Sequence, residues 1–263
     1  MTDDTATICR ICGVVASRLM DGTLIGYRVA YFRCSACGYV QTETPFWLEE
    51  AYRDPINASD TGIMARNLRN RSVVAITLGL LGKPNGRVLD YAGGYGILVR
   101  LLRDFGIDGY WADAYCDNKL AAGFGQQPGM TFDLLTAFEV FEHLTDPVAD
   151  LAKMLKLSSN VLLSTELAPE KLASQDDWWY FGKDHGQHVG FFTQTSLKKL
   201  AASLGKRMTS NGGSYHLFTD AVVSPLLFRA ALRLANIVTP LLKRRYTCRI
   251  YSDNAMIISG ERP

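Results

Sequence analysis

Val88-Leu-Asp-Tyr-Ala-Gly-Gly-Tyr-Gly96 reads as a strand that ends in a carboxylate and turns through glycines into a helix. Val88 and Leu89 have the character of a buried strand end, while Gly93, Gly94 and Gly96 permit a tight turn with close backbone approach. Apolar residues at 97, 98, 101, 102 and 105 give the returning helix, Ile97 to Phe105, one core face, and Gly106 stops it. The N-terminus of such a helix presents unpaired N–H groups to whatever lies above the turn. The local geometry is that of a cofactor cradle.

Outward from this turn the pattern alternates strand and helix, which argues for a parallel sheet. Arg66 to Leu81 reads as a helix that Gly82-Lys-Pro-Asn-Gly86 breaks before the first strand. Gly109-Tyr-Trp-Ala-Asp113 is the second strand and again ends in an acid; Phe132 to Val140 is a long apolar strand, and Asn160 to Thr165 the next. The chain between the second strand and Phe132 is short, so one strand and its helix are expected to be abbreviated. Asp146 is placed to cap a helix whose first residue is Pro147, with Val148, Leu151, Met154 and Leu155 on its buried face. Thr193 caps Gln194 to Leu204. Tyr215 to Phe218 and Ala255 to Ser259 read as a last, antiparallel pair. Ser224 and Pro225 begin an apolar helix interrupted only by Arg229, Arg233 and Asn236, followed by Pro240 and Lys243-Arg-Arg245. It is too short and too charged to span a bilayer. A buried or dimer-forming helix is the preferred reading, with membrane-surface contact through 224–245 the minor one.

With 263 residues, 48% hydrophobic and 21% charged, the chain has enough apolar surface for a full core, as one principal domain plus an accessory piece. A net charge of +2 gives no general polyanion-binding signature. The first residues, Met1-Thr-Asp-Asp-Thr, are acidic and polar where a secretory signal is basic and then apolar, so a cytoplasmic location is expected. Of six cysteines, Cys116 and Cys248 stand singly and read as buried thiols. Cys9, Cys12, Cys34 and Cys37 form two C-x2-C pairs about twenty residues apart, the spacing of a Zn2+ site rather than of a disulfide frame. Gly13 and Gly38, each following a second cysteine, suit the tight knuckles, and Thr23 to Phe32 reads as the intervening hairpin. Four thiolates close the coordination shell, so this metal is expected to be structural. The predicted fold class is therefore α/β: a Rossmann-like, mostly parallel sheet with an antiparallel last strand, plus a small N-terminal zinc ribbon. The expected division is ribbon 1–45, helical connection 46–82 with surface-loop residues Pro55, Asn57, Ser59, Asp60 and Gly62, and main domain 83–263.

Two nucleotide cofactors use a glycine-rich turn of this kind. A dinucleotide site needs G-x-G-x-x-G, but Val99 stands three residues after Gly96, where the third glycine belongs. Asp90, Gly94 and Gly96 instead resemble motif I of the class I S-adenosylmethionine (SAM)-dependent methyltransferases, with Ala92 in place of its first glycine. Together with Asp113 and the string Phe132-Asp-Leu-Leu-Thr-Ala-Phe-Glu-Val-Phe-Glu-His-Leu-Thr-Asp-Pro147, the chain is similar to the small-molecule branch of that family. The likeness extends through Trp178-Trp-Tyr180 and His188-Val-Gly-Phe-Phe-Thr193, covering roughly Arg87 to the C-terminus. The ribbon and Cys37-Gly-Tyr-Val-Gln41 also resemble the N-terminal zinc module of sugar C-methyltransferases and of methyltransferases encoded with surface-polysaccharide assembly enzymes.

The resemblance implies SAM as cofactor and a nucleotide-linked sugar or glycan as acceptor. It places Gly94 and Gly96 against the methionine part of SAM, Asp90 at its amino group, Asp113 at the ribose, and Phe138 and Glu139 beside the sulfonium, with Ala92 and Gly93 also in the cofactor turn. A hydroxyl or carbon acceptor needs a base. The candidates are His188 and then His185, in a loop where two histidines flank Gly186, with Glu142 after the Phe132–Val140 strand and Glu166 and Tyr180 as orienting or substrate-binding partners. His143 reads as a capping or packing residue. Trp178, Trp179 and Tyr180 are candidates for stacking on a sugar face, although core packing explains aromatic clusters equally often. Two other readings compete. One is an RNA-modifying methyltransferase or a zinc-ribbon nucleic-acid binder, against which the ribbon carries only Arg10, Arg18, Arg28 and Arg33 and no dense basic stripe. The other is an NAD-linked Rossmann protein. The expected partner is a small molecule rather than nucleic acid, and a homodimer is a candidate assembly.

Overall fold

The computed structural model describes residues 5–53 and 60–260. The acidic start Met1 to Asp4 and the loop residues Pro55, Asn57 and Ser59 lie outside the described residues. In chain order the first elements are β1 (Ala6–Ile8), β2 (Val15–Leu24), β3 (Tyr27–Cys34), β4 (Val40–Thr42), α1 (Leu48–Ala51) and α2 (Ile63–Leu80). Then come β5 (Arg87–Tyr91), α3 (Ile97–Phe105), β6 (Asp108–Ala112), β7 (Leu134–Phe138), α4 (Pro147–Leu157) and β8 (Val161–Ser164). The remainder is β9 (Gly190–Phe191), α5 (Gln194–Ser203), β10 (Arg207–Ser210), β11 (Tyr215–Thr219), α6 (Pro225–Arg233), α7 (Ala235–Lys243) and α8 (Ile250–Ser259).

These elements form two compact units, each drawn from three separate stretches of chain. The first comprises Met1–Asn57, Glu139–Lys153 and Ser164–Met208. Its sheet has the order β1-β2-β3-β4-β9, every pairing antiparallel. The expected hairpin is present as β2 and β3, turning at Ile25-Gly26. The edge pairing joins Val40 to Phe191 and Gln41 to Gly190, so a strand from far along the chain completes a sheet begun at its start. The core of this unit is aromatic: Tyr31, Trp47, Tyr180, Phe181 and Phe191 are buried together with Leu24, Val29 and Val189.

The second unit comprises Ala58–Phe138, Met154–Leu163 and Thr209–Pro263. The six-stranded sheet to which it contributes has the order β10-β11-β8-β7-β5-β6, with β5 parallel to both β6 and β7. The chain leaves β5 for β6 on one side and returns to β7 on the other, so the strand order reverses at β5. In open α/β sheets ligands bind beyond the carboxyl ends of strands at such a switch point. Val88, Leu134, Leu162 and Leu217 of the sheet pack with Val73, Val74 and Leu78 of α2 and Leu98, Leu102 and Phe105 of α3. The glycine that ends α3 is required twice over: Gly106 has φ 107°, and a Cβ there would lie 2.5 Å from the Thr247 carbonyl oxygen. Beyond β6 a single parallel bridge, Trp111 to Gly125, stands where the abbreviated strand was expected.

The predicted helix caps are all made. Asp146 Oδ1 accepts from Ala149 N–H, Thr193 Oγ1 from Ser196 N–H and Ser224 Oγ from Leu227 N–H. Three expectations fail. Ala255 to Ser259 is not a strand but the end of α8; the partner of β11 is β10, joined to it by the short turn Asn211–Ser214. The helix is fixed from its polar side: Asp253 takes a bidentate pair of hydrogen bonds from Arg103 (2.8 and 2.8 Å) and a third from Arg100 (2.7 Å). One turn on, Met256 packs against the cluster of Val99, Ala121 and Phe124. The apolar run from Pro225 is not one buried helix either. It breaks into α6 and α7, bent by 85°, with Phe228 and Thr239 buried while Leu226, Leu227, Ile237 and Leu241 are exposed. No single helix among the described residues is long and apolar enough to cross a membrane. Cys248, read as a buried thiol, is exposed, and Cys116 is half-buried.

Because Arg103 and Asp253 are both buried, removing Asp253 takes from Arg103 its bidentate partner and leaves the buried guanidinium to its single bond with Asp108. Asp253→Ala should cost about 3 kcal/mol in denaturant unfolding, against less than ~1 kcal/mol for Asp104→Ala at the more exposed Arg100 pair. Equal effects from the two variants would show that the buried pair does not hold α8.

Candidate functional site

Three constellations bring the predicted site residues together. The first is the glycine turn at the carboxyl end of β5. Asp90, the penultimate residue of that strand, is buried and accepts from Thr136 Oγ1 of β7 (2.8 Å). Burial pushes its carboxyl up to about 7, a hydrogen bond from Thr136 opposes this, and the charge of Asp113 adds to it. Ala92 occupies the left-handed region at φ 58°, where a glycine carries no penalty. A Cβ on Gly93 would lie 2.8 Å from Asp90 Oδ2 and 2.9 Å from Trp111 Cδ1, and one on Gly96 would lie 2.7 Å from Asn118 Oδ1. The turn is therefore open only because glycine fills it. Gly94 N–H donates to Asp113 Oδ2 (2.8 Å) while Trp111 Nε1 donates to Gly94 O (2.8 Å). Asp113 Oδ1 also accepts the N–H groups of Tyr115 and Cys116. The strand-end acid thus orders both its own loop and the glycine turn. Val99, where a dinucleotide site places its third glycine, is buried in the Ala121–Phe124 cluster. Phe138 ends β7 and packs edge-on against Tyr215, with ring centroids 6.0 Å apart.

The second constellation belongs to the first unit. Glu139, which follows Phe138 in the chain, has φ 55° and hydrogen-bonds through both its N–H and its carboxylate to Ser164 Oγ. Among the described residues three non-glycine residues have positive φ, and two of them are Ala92 and Glu139, both among the predicted cofactor contacts. Glu142 lies on a single 3-10 turn, Phe141–His143, and is wholly buried. Tyr180 OH donates to Glu142 Oε1 (2.6 Å) and lies 3.5 Å from Glu139 Oε2 and from Thr165 Oγ1. Burial, reinforced by the charge of Glu139, pushes the Glu142 carboxyl up to about 8.

The histidine loop completes this cluster. His188 is buried, and its Nδ1 lies 2.6 Å from the Tyr180 carbonyl oxygen. A carbonyl only accepts, so Nδ1 carries the proton and Nε2 keeps its lone pair. Burial and the neighbouring His185 hold the ring neutral, with its pKa down to about 3. His188 packs against the rings of Tyr180, His185 and His143, with centroids 4.6, 4.7 and 4.9 Å away. Half-buried His185 accepts from Gln187 N–H through Nδ1 (3.2 Å). His143, read from sequence as a packing residue, stands inside the cluster, with Nδ1 3.0 Å from Tyr52 OH. Residues from α1 and its flanks hold the loop in place: Trp47 Nε1 donates to Gly186 O and Gln187 Nε2 to Ala51 O. Tyr52, Trp47 and Ser164 carried no sequence signal, because only tertiary folding brings them here. Glu166 lies half-buried just after β8. Of the aromatic triplet, Tyr180 is core, Trp178 packs on Phe181 and Phe191, and Trp179 is 78% exposed.

The third constellation is the cysteine cluster. Two matching turns present the thiols: Gly13 N–H bonds Cys9 O and Gly38 N–H bonds Cys34 O, with φ 70° and 72° at the glycines. Cys9–Cys37, Cys12–Cys34 and Cys12–Cys37 Sγ separations are 3.6, 3.5 and 3.7 Å. Zn–S bonds of about 2.3 Å in a tetrahedron place sulfurs about 3.8 Å apart, so the donor set matches that ion.

Residues 61–211, over half of the chain, match the family model described as a methyltransferase domain. Among solved structures, the chain is similar to 1,6-didemethyltoxoflavin-N1-methyltransferase of Burkholderia thailandensis at 18% identity, covering 72% of this chain and 93% of that one, with a TM-score of 0.48. The magnesium protoporphyrin IX methyltransferase of Synechocystis PCC 6803 gives 16% identity, coverages of 65% and 90%, and a TM-score of 0.41. CalO1, a methyltransferase in calicheamicin biosynthesis, gives 16% identity and a TM-score of 0.40, over 58% of this chain and 54% of that one; the match thus spans about half the length of that protein. No curated protein matches the chain in sequence.

Burial keeps the Asp90 carboxyl protonated to about pH 7, whereas in the unfolded chain it ionises near its ordinary 3.8. The unfolded state is therefore increasingly favoured as pH rises from about 4 to 7, and the full penalty applies above that window. Asp90→Asn should raise the thermal midpoint of the ligand-free protein, with the gain at pH 8 exceeding that at pH 5 by on the order of 2 kcal/mol. Equal gains at both pH values would contradict a raised Asp90 pKa.

Proposed function

The chain belongs to the methyltransferase-domain family, and on that premise we propose that it transfers a methyl group from SAM to a sugar-containing small molecule, a nucleotide-linked sugar or glycan. The observation that carries the donor half is the glycine cradle at the switch point, kept open by Gly93 and Gly96 with a buried acid at its base. Asp90 would bind the amino group of SAM, since a cation beside a carboxyl held neutral by burial draws off its proton and makes an ion pair. Gly94 and Gly96 would face the methionine part. Asp113, with lone-pair capacity left after its backbone bonds, would take the ribose hydroxyls. Phe138 and Glu139 would stand beside the sulfonium. When bound, SAM supplies a methyl group on a positively charged sulfur, so the acceptor gains the methyl and gives up a proton as the S–CH3 bond breaks.

On the acceptor side we assign the Glu142, His143, His185, His188 and Tyr180 cluster. His188 leads it: its Nδ1 is committed to a carbonyl, which fixes the ring and leaves Nε2 as an acceptor of fixed direction. Tyr180 holds Glu142 in place through its hydroxyl. Exposed Trp179 beside this cluster offers a face on which a sugar ring can stack. The cysteine knuckles support a structural Zn2+ held by Cys9, Cys12, Cys34 and Cys37, which would pin β3 and the turn before β4.

Calorimetric titration with SAM should show binding that Asp113→Ala greatly weakens, and unchanged affinity in that variant would remove the ribose assignment. His188→Ala should keep SAM affinity while losing at least ~100-fold in turnover over a panel of nucleotide-linked sugars, read as release of demethylated cofactor. Wild-type turnover in that variant would move the acceptor-side role elsewhere.

A further inference from the structure

Glu142, His143 and His188 each offer one ligand atom, and these three atoms lie within 4.8 Å of one another. In each residue the other polar atom is already engaged. Glu142 Oε1 accepts from Tyr180 OH, His188 Nδ1 donates to the Tyr180 carbonyl, and His143 Nδ1 pairs with Tyr52 OH. What remains is Glu142 Oε2 and the Nε2 atoms of two imidazoles. Among the described residues Glu142 Oε2 has no hydrogen-bond partner, although the side chain is completely buried. A buried carboxylate oxygen without a donor is costly, and His188 offers none, because its proton sits on the nitrogen that faces away. A bound cation would supply the missing partner.

We propose that Glu142, His143 and His188 hold a divalent transition-metal ion, Zn2+ in the first instance, at a second metal site distinct from the cysteine cluster. The donor set selects the ion class: two neutral imidazoles and one carboxylate suit Zn2+, Mn2+ or Co2+, whereas Mg2+ and Ca2+ favour oxygen-only shells. The surroundings are those of a built site. Imidazoles that bind metal use their second nitrogen to hydrogen-bond a carbonyl or another fixed polar group, and the ligating carboxylate is itself hydrogen-bonded; all three conditions are met here. The backbone is braced as well, since Val189 N–H donates to Glu142 O (2.8 Å) and so ties the histidine loop to the 3-10 turn. An ion bonded at about 2.1 Å would draw the three ligands closer than their present outer limit and keep coordination positions open.

The chemical consequence rests on the methyl-transfer reading; ion binding does not. The open fourth position would suit a sugar hydroxyl, and expansion to five ligands would admit a neighbouring oxygen, as in a vicinal diol or a hydroxyl beside a carbonyl. Coordination would lower the pKa of a bound hydroxyl so that it releases its proton to solvent, and the resulting oxygen anion would take the methyl group as the S–CH3 bond of SAM breaks; His188 would then serve as a ligand of the ion instead of as the base.

The test is to strip the full chain of metal and titrate it with Co2+. The expected result is two equivalents, one showing the intense thiolate-to-cobalt charge-transfer band of the cysteine site, the other only weak visible bands of nitrogen and oxygen ligation. Glu142→Gln and His188→Ala, checked for native circular dichroism, should each lose the second equivalent and keep the first. A single, thiolate-bound cobalt in the wild-type chain would overturn the proposal without recourse to the variants, as would a second equivalent that persists in both. SAM titration of the same preparation separates the readings: SAM binding without a second cobalt leaves the methyltransferase assignment intact and removes the metal.

Discussion

The two ends of Tyr180 hold the acid–histidine cluster together. Its carbonyl fixes the tautomer and direction of His188, and its hydroxyl holds Glu142. The ring itself is in the core, so neither polar group can turn to water, and each must find its partner inside the protein. Three distant stretches are thereby brought into register: the segment after β7 with Glu139 and Glu142, the aromatic triplet, and the histidine loop. Tyr52 and Trp47 from the start of the chain close the arrangement from the other side. A phenylalanine at 180 would preserve the packing and the carbonyl contact, but it would remove the hydroxyl that donates to Glu142 Oε1.

How much of this could be read from sequence depends on the range of the interaction. The glycine turn was legible because its requirements are local: a strand end, small residues at fixed offsets, and an amphipathic return. Each helix cap was legible for the same reason. The cysteine knuckles were legible because coordination geometry constrains spacing directly, and the distances between sulfurs agree with that geometry. His188, Glu142 and Tyr180 were visible as residue types in suggestive places, but their mutual contacts were not. His143 was taken for a packing residue because nothing near it in the chain announces Tyr52, which lies 91 positions away.

The C-terminal misreading has a comparable origin. Ala255-Met-Ile-Ile-Ser259 has the composition of a strand, and its alternative as a helix depends on Asp253, whose partners Arg100 and Arg103 lie about 150 positions earlier. A short apolar run has no periodicity of its own to decide between the two. The run from Pro225, read as a buried or dimer-forming helix, is a different case. Its apolar character is real, but the bend between α6 and α7 turns much of it outward, so composition alone overstated its burial.

The pairing of β4 with β9 bears on how this chain acquires its structure during synthesis. The N-terminal sheet lacks its last strand until about 150 further residues have been made. Until then the hydrogen-bonding edge of β4 is unsatisfied, and the aromatic core around Tyr31 and Trp47 waits for Tyr180, Phe181 and Phe191. Unpaired edges and exposed aromatic surface invite association with other chains. The interleaved segments also make closure of the first unit a high-contact-order event, and such events are slow. A shortened version ending before Phe191 would carry the four clustered cysteines and the whole glycine turn, yet it would leave the N-terminal sheet open at one side; the smallest self-sufficient fragment is therefore much longer than the motifs that identify it.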